Sequence, residues 1–227
     1  MVSQKKLEAV VFDMDGVILD SERALMEIWE EVAEEISLPG IREVYIRCCG
    51  TTHETTGQIL RDAYGPDFPF EELDAKVYAL RDQRYRSGLP VKSGIRELLE
   101  GLRELGIRIA LATSTEGDRA ARQLEAVGLL SYFDLVISGE MVQRSKPDPE
   151  IFLLAIDQLD VPADQTMIIE DSFNGIRAAG RTGAEAVMVP DLKQPDEEIR
   201  RLCDYVFPSL LEVLAHVRKR QSQDFHS

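Results

Sequence analysis

The sequence predicts an α/β fold in which a Rossmann-like parallel sheet carries helices on both faces and accepts an inserted, all-helical cap unit. Short apolar runs recur along the chain, each followed by polar residues and then a helical pattern. Runs apolar on both faces and separated by helices belong to a buried parallel sheet built from right-handed βαβ units. The stretch from Val17 to Leu89 breaks this alternation, with helical periodicity and no strand-like run. A length of 227 residues accommodates one α/β domain with an insertion.

In chain order, the first strand is predicted at Ala9 to Phe12. Glu22 to Ile36 and Phe70 to Arg86 then read as amphipathic helices, with more helix around Thr55 to Tyr64. A stretch of about 70 residues is too long for a simple loop in a compact domain. The core is therefore expected to comprise residues 1–16 and 90–227, and the helical cap residues 17–89. Within the cap, Trp29 is expected to pack inside, and Glu27, Glu30, Glu31, Glu34 and Glu35 to form a solvated face. Ser93 is a candidate N-cap for a helix from Gly94 to Leu105 that Gly106 ends. A second strand is predicted at Ile107 to Ala112. Thr115, with Asp118 three residues later, resembles a capping box. A third strand at Leu135 to Ile137 precedes Asp148-Pro149, which reads as N-cap and first position of a helix from Glu150 to Leu159. Strands at Met167 to Ile169 and Ala186 to Val189 follow, and a weaker sixth near Tyr205 to Phe207. Arg218, Lys219 and Arg220 read as the solvated end of a last helix, where cations suit the helix dipole.

Composition excludes several classes. Hydrophobic residues make up 44% and charged residues 30% of the chain, which fits a globular protein and neither a disordered tail nor a membrane span. The 41 acidic residues outnumber the 26 Lys and Arg, for a net charge of -15 that repels nucleic acid and anionic membrane. Cys48, Cys49 and Cys203 are odd in number and form neither a CxxC pair nor a Cys/His metal spacing, which points to a reducing cytosol. The stretch from Met1 to Leu7 has no apolar segment behind its lysines, so export is not expected. No repeat or low-complexity segment is evident.

In an open parallel sheet, ligands bind beyond the carboxyl ends of the strands. The first predicted strand ends in Asp13-Met14-Asp15-Gly16, the second in Thr113-Ser114-Thr115 and the fourth in Glu170-Asp171-Ser172, while Lys146-Pro147-Asp148-Pro149 follows the third. Four carboxylates sharing one crevice repel and raise one another's pKa. A divalent cation resolves that conflict, and all-oxygen ligation suits Mg²⁺ rather than Zn²⁺. Carboxylates at i and i+2 beyond a strand can divide the labour: Asp13 coordinates and attacks, Asp15 handles protons and offers its carbonyl to the ion. His53, His216 and His226 have no plausible Ser or Cys nucleophile beside them, which argues against a Ser/His or Cys/His device. Neither a GxxxxGK[ST] loop nor a GxGxxG after the first strand occurs, which excludes P-loop and dinucleotide readings.

The run Asp13 to Ser21, then Thr113, then Lys146-Pro147-Asp148-Pro149, then Glu170-Asp171-Ser172 with Asn174 and Gly175, resembles the four ordered motifs of the haloacid dehalogenase-like hydrolases. More narrowly it is similar to the phosphatase and phosphomutase subfamily that carries a helical cap after the first motif. The resemblance spans about Glu8 to Phe207. It implies hydrolysis of a small phosphorylated metabolite, a sugar phosphate among the candidates, in a cytoplasmic protein that is a monomer or weak dimer. Asp13 is then the nucleophile that forms an aspartyl-phosphate. Asp15 protonates the leaving oxygen and later activates water. Thr113 and the Ser114 amide hold the phosphoryl oxygens, and Lys146 neutralises charge. Asp171 binds Mg²⁺, with Glu170 binding directly or through water. Asn174 and the loop Cys48 to His53, with Gly50 and His53 facing the crevice, complete the expected substrate contacts; Asp148 is expected to serve as a cap rather than a ligand.

Departures within that family narrow the reading. True dehalogenases lack the second aspartate, so Asp15 points to phosphoryl transfer. The phosphonatase branch uses a cap lysine, and Thr51 to Thr56 contains none. The sugar-phosphate mutases carry a histidine on the first cap helix and a lysine and an arginine around a cap loop. The matching positions here are Leu25, Cys49 and His53, which favours hydrolysis. A hexose-phosphate mutase and a catalytically silent regulator remain the alternatives.

Overall fold

A computed structural model describes residues 5–224; Met1 to Gln4 and His226 lie outside the described residues. Six strands, β1 (Ala9–Phe12), β2 (Arg108–Thr113), β3 (Leu135–Ser138), β4 (Thr166–Glu170), β5 (Glu185–Met188) and β6 (Tyr205–Val206), form one sheet in the order β3-β2-β1-β4-β5-β6. Every pairing is parallel. All residues of β1 and β4 are buried, as the apolar runs require. Successive residues point to opposite faces. Val10, Phe12, Ile109 and Leu111 pack under α5 (Ile95–Glu104) and the last helix, Leu210–Asp224, while Ala9, Val11, Ala110 and Ile168 pack under α7 (Glu150–Leu159). From β1 the chain builds outward to β3, then crosses back to build β4 to β6 on the other side. The crevice at the carboxyl ends of β1 and β4 is thus the point where strand order reverses.

The insertion is helical: α1 (Ser21–Glu35), α2 (Ile41–Cys48), α3 (His53–Tyr64) and α4 (Phe70–Arg84). They enclose their own apolar cluster, with Trp29 at its centre beside Val32, Tyr45, Leu60, Phe70 and Val77. Glu27, Glu31, Glu34 and Glu35 are exposed as expected, and Glu30 is half-buried. Glu30 and Glu31 pair with Arg42 (2.6 Å) and Arg84 (2.5 Å), and Glu35 pairs with Lys76. The two connecting strands of chain run side by side, Asp20 N donating to Pro90 O at 2.8 Å and Lys92 N to Ile18 O at 2.9 Å. Val17, Ile18, Leu19 and Leu89 pack with the sheet's own core, so α1 is the first element of the helical unit.

Several local expectations are corrected. The helix α2 was not anticipated, because eight residues offer only one apolar repeat, Ile41, Tyr45 and Cys48. The helix α3 begins at His53 rather than Thr55, since Thr52 Oγ1 caps it by accepting from Thr55 N at 3.2 Å. Gly94, at φ +84°, and not Ser93, occupies the N-cap of α5. The helix α6 (Gly117–Ala126) has Glu116 at its N-cap with no side-chain cap, and Thr115 is recruited elsewhere. Asp148 does accept from Glu150 N at 3.1 Å, but from one position upstream, with Pro149 at the N-cap of α7. Arg220 is not solvated: it is buried, pairs with Glu185 at 2.8 Å and donates twice to Lys5 O. Among the described residues no helix is long and apolar enough to cross a membrane.

Candidate active site

The carboxyl end of β1 supplies the first two acids. Asp13 N donates to Ile169 O at 3.0 Å, which continues the ladder one residue past the strand. A tight turn follows, with Ile18 N and Leu19 N both donating to Met14 O. Gly16 sits in it at φ +79°, and a Cβ there would stand 2.2 Å from Asp171 Oδ2, so only glycine lets the first and fourth segments touch. The turn aims Asp15 back into the crevice, where its two oxygens accept from Ser21 Oγ (2.7 Å) and Thr115 Oγ1 (3.2 Å).

The end of β4 supplies Glu170 and Asp171. Glu170 is fully buried. Its Oε2 accepts from Asp171 N, Ser172 N and Ser172 Oγ at 2.9–3.0 Å, and its Oε1 from Lys146 Nζ at 2.8 Å. Lys146, whose peptide bond to Pro147 is cis, also donates to Asp13 Oδ1 at 2.5 Å and Ala112 O at 3.1 Å. The ring of Phe152 lies 4.7 Å from the same nitrogen. One ammonium thus ties β1, β2 and β4 together. Thr113, at the end of β2, is buried and accepts from Thr115 N at 3.1 Å, while Ser114 is exposed.

These acids are short of positive charge. Burial, reinforced by the charges of Glu170 and Asp15 and opposed by Lys146, pushes Asp13 up to about 7. Asp171 is held well above the usual carboxylate range by burial, then by Glu170 and Asp13. Burial would lower Lys146, but Asp13 and Glu170 outweigh it and raise its pKa. Carboxylate oxygens of Asp13, Glu170 and Asp171 lie within 4.8 Å of one another. Three clustered carboxylates with one lysine form a hard, all-oxygen donor set, a chemistry compatible with a divalent cation.

A cavity of about 520 Å³ opens over this cluster. Asp13, Asp15, Gly50, Thr113, Ser114, Lys146, Glu170, Asp171 and Asn174 line it, whereas Cys48, Cys49 and His53 of the expected loop do not. Gly50, at φ +71°, presents its carbonyl to Asn174 Nδ2 at 3.2 Å, so the loop between α2 and α3 rests on α8 (Phe173–Ala179). His53 is the corrected expectation. As first residue of α3 it turns outward, 3.4 Å from Asp74 and with its ring 4.8 Å from that of Phe70.

Sequence reading passed over Glu22, Tyr78, Arg81 and Arg119, which also line the cavity. A signal existed for two of them. Glu22 shares the apolar stripe of α1 with Met26, Trp29 and Ala33, and Arg81 that of α4 with Phe70, Leu73 and Val77. A charge on a buried stripe needs a polar destination. Tyr45 OH donates to Glu22 Oε2 at 3.0 Å, and burial raises the pKa of Glu22.

Comparison with known proteins agrees with this geometry. The family profile of haloacid dehalogenase-like hydrolases matches residues 10–189. The phosphorylated carbohydrates phosphatase of Thermotoga maritima is 34% identical over 181 residues, covering 80% of this chain and 84% of its own. The beta-phosphoglucomutase of Bacillus subtilis is 29% identical, covering 95% and 99%. The crystal structure of CbbY from Rhodobacter sphaeroides in complex with phosphate superposes with a TM-score of 0.67 at 26% identity, covering 92% and 96%. With its parallel sheet, its helical insertion after the first acidic turn and its four segments meeting at one crevice, the chain belongs to the haloacid dehalogenase-like hydrolases, in the branch of cap-bearing phosphatases and phosphomutases.

Proposed function

We propose that this chain is a Mg²⁺-dependent phosphatase of small phosphorylated metabolites, sugar phosphates among them, working through an aspartyl-phosphate. The observation that carries the reading is Lys146 bridging Asp13 and Glu170 inside a cavity in which Asp15 is separately oriented. Asp13 Oδ1 is engaged by Lys146, which leaves Oδ2 as the oxygen that bonds to phosphorus while the bond to the leaving oxygen breaks. Asp15, fixed by Ser21 and Thr115, donates its proton to that leaving oxygen and then takes one from the water that cleaves the acyl phosphate. Thr113 Oγ1 and the Ser114 amide hold phosphoryl oxygens, and Lys146 offsets their charge.

Asp13 and Asp171, with the Asp15 carbonyl, would hold Mg²⁺, which supplies charge neutralisation for the phosphoryl group. Glu170 Oε2 accepts from two amides and Ser172 and its Oε1 from Lys146, so its main role in this reading is to position Lys146 beside the ion. The three cysteines are free thiols, in keeping with a reducing cytoplasm.

A hexose-phosphate mutase is the second reading. Against it, Leu25 brings no charge to the cavity, Cys49 bonds Tyr45 O, and His53 lies outside. In its favour, Arg81 and Arg119 bring positive charge to the lining. Free phosphate measured against isomerised product, with and without a sugar bisphosphate, separates the two. Asp13→Asn is expected to abolish phosphate release with unchanged circular dichroism; substantial remaining turnover refutes the assignment of the nucleophile.

A further inference from the structure

Where the chain leaves the core for the cap and where it returns, the side chains of Asp20, Arg23, Lys92 and Asp191 meet. Asp191 lies just beyond β5, and because β5 pairs with β4 its loop emerges beside Glu170 and Asp171. Its side chain is 2% exposed, and Oδ1 accepts from Lys92 Nζ at 2.6 Å. Lys92, on the returning crossing, also reaches Asp20 Oδ1 at 3.4 Å on the outgoing one. Arg23, in the first turn of α1, closes the circuit, with Nε 3.4 Å from Asp20 Oδ2 and Nη2 3.9 Å from Asp191 Oδ1. Acids and cations thus alternate around a ring that runs from the buried Asp191 to the half-exposed Arg23. None of its members lines the cavity.

Two features set this ring apart from ordinary surface pairing. Asp20 occupies the N-cap of α1, where an aspartate can accept from the helix's free amides, yet it makes no cap hydrogen bond because its carboxylate is turned to Lys92 and Arg23. Asp191 Oδ2 is buried with no hydrogen-bond partner, so the hold on this buried charge is through Oδ1. From this geometry we propose that Asp191 is a positioning residue for Asp15. The ring pins the first turn of α1 to the core at Asp20 and Arg23, and Ser21 between them donates from Oγ to Asp15 Oδ1 at 2.7 Å. Leu192, the next residue of the loop, packs against the apolar cluster of the cap, so an ionic and an apolar contact seat α1 side by side. Asp191 thereby sets the direction of the hydrogen bond that aims the proton donor, without touching the substrate, and a general acid works only within a narrow range of geometry. This inference rests on the phosphatase reading above and adds the residue that keeps its acid in line.

The test reads kcat/KM with Mg²⁺ present, because that ratio reports transfer to Asp13 and not the later hydrolysis. It compares p-nitrophenyl phosphate with the best substrate among glucose 6-phosphate, fructose 1-phosphate and glycerol 3-phosphate, since only the alkyl esters need a proton from Asp15. Asp191→Asn is expected to lower the alkyl value about three- to tenfold, with the loss in Ser21→Ala as its upper bound, and to leave the nitrophenyl value and inhibition by inorganic phosphate within about twofold. Because both substitutions act on one hydrogen bond, the double variant of Ser21→Ala with Asp191→Asn is expected to match Ser21→Ala alone. Arg23→Gln, at the exposed corner where folding is not at stake, is expected to move the alkyl-to-nitrophenyl ratio the same way by about twofold or more. Equal losses on both kinds of ester, additivity with Ser21→Ala, or wild-type ratios in both Asp191→Asn and Arg23→Gln overturn the positioning role and leave the phosphatase reading standing. Absence of phosphate release from every one of these compounds in the wild-type protein overturns both.

Discussion

Replacing Gly175 by alanine tests whether Glu170 sets the position of Lys146. Gly175 lies in the first turn of α8, and a Cβ on it would stand 1.8 Å from Glu170 Oε1 and 2.3 Å from Oε2. A carbon and an oxygen need about 3.4 Å, so the carboxylate must retreat by roughly 1.5 Å. It has nowhere to go. Glu170 is fully buried, three donors hold Oε2, and Oε1 lies 2.8 Å from Lys146. A retreat of that size carries the lysine contact out of hydrogen-bonding range. Overpacking costs about 1–3 kcal/mol and the lost charged hydrogen bond about 1.5–3 kcal/mol. Since the two share atoms, a net loss near 3 kcal/mol is expected, or about 6–12 °C in Tm for a chain of this size. Phosphate release should fall about a hundredfold as Lys146 drifts from Asp13, the scale of removing one preorganised donor. Far-UV circular dichroism is the suitable probe of melting, because Trp29, the single tryptophan, sits in the cap cluster and its fluorescence reports on the cap. A variant that melts within about 2 °C of wild type with full activity refutes the assignment of Glu170 as the anchor.

Ser21→Ala removes the 2.7 Å hydrogen bond to Asp15 and should slow hydrolysis of alkyl phosphates about tenfold while sparing p-nitrophenyl phosphate, whose leaving group needs no acid; equal losses on both would contradict the proton-donor role. Asp13, raised by burial to about 7 in the metal-free protein, favours stability at low pH and loses that contribution as pH rises through about 7, while its ionised form is the one that binds cation. Binding of Mg²⁺ at pH 6.5 should accordingly release protons and tighten on raising the pH, which calorimetry in two buffers of different ionisation enthalpy will read; proton-neutral binding would show that Asp13 is already ionised. Arg220→Met strands Glu185, which burial already raises, and should cost about 3 kcal/mol in urea denaturation with catalysis unchanged, a loss under about 1 kcal/mol counting against the buried clamp.

The acid cluster was legible because Asp13, Glu170 and Asp171 sit at the last residue of a strand or one residue past it. Once Ala9–Phe12 and Thr166–Glu170 are recognised as buried strands, register alone brings Asp13, Glu170 and Asp171 to one edge, and Gly16 and Gly175 mark where side chains from different segments must interpenetrate. The capping assignments failed for the opposite reason. Ser93 and Thr115 are short polar residues ahead of helices, which suits a local cap, but a hydroxyl bonds whichever partner the tertiary fold presents. For Thr115 that partner is Asp15, 100 residues away. Arg220 was misread in the same way: nothing nearby in sequence reveals that Glu185 and the Lys5 carbonyl converge on it.

The cap half of the cavity was hidden for a further reason. A residue after a strand has its destination fixed by the sheet, whereas a residue on a cap helix faces the core only if the helix packs at one particular rotation, and helical period alone does not choose it. The apolar stripe does choose it, because burying Met26 and Trp29 of α1, or Leu73 and Val77 of α4, fixes which way each helix is turned. Glu22 and Arg81 lie on those stripes, one turn beyond the apolar residues and at the edge nearest the core, so the packing that hides Trp29 also drives both charges into the cavity. Desolvating either charge is unfavourable unless something polar answers it there. Tyr45 answers Glu22, and the exposed Asp82 together with the ring of Tyr78 answers Arg81. A charged side chain on an otherwise apolar stripe is therefore the sequence feature from which the cap's contribution to the cavity lining can be read.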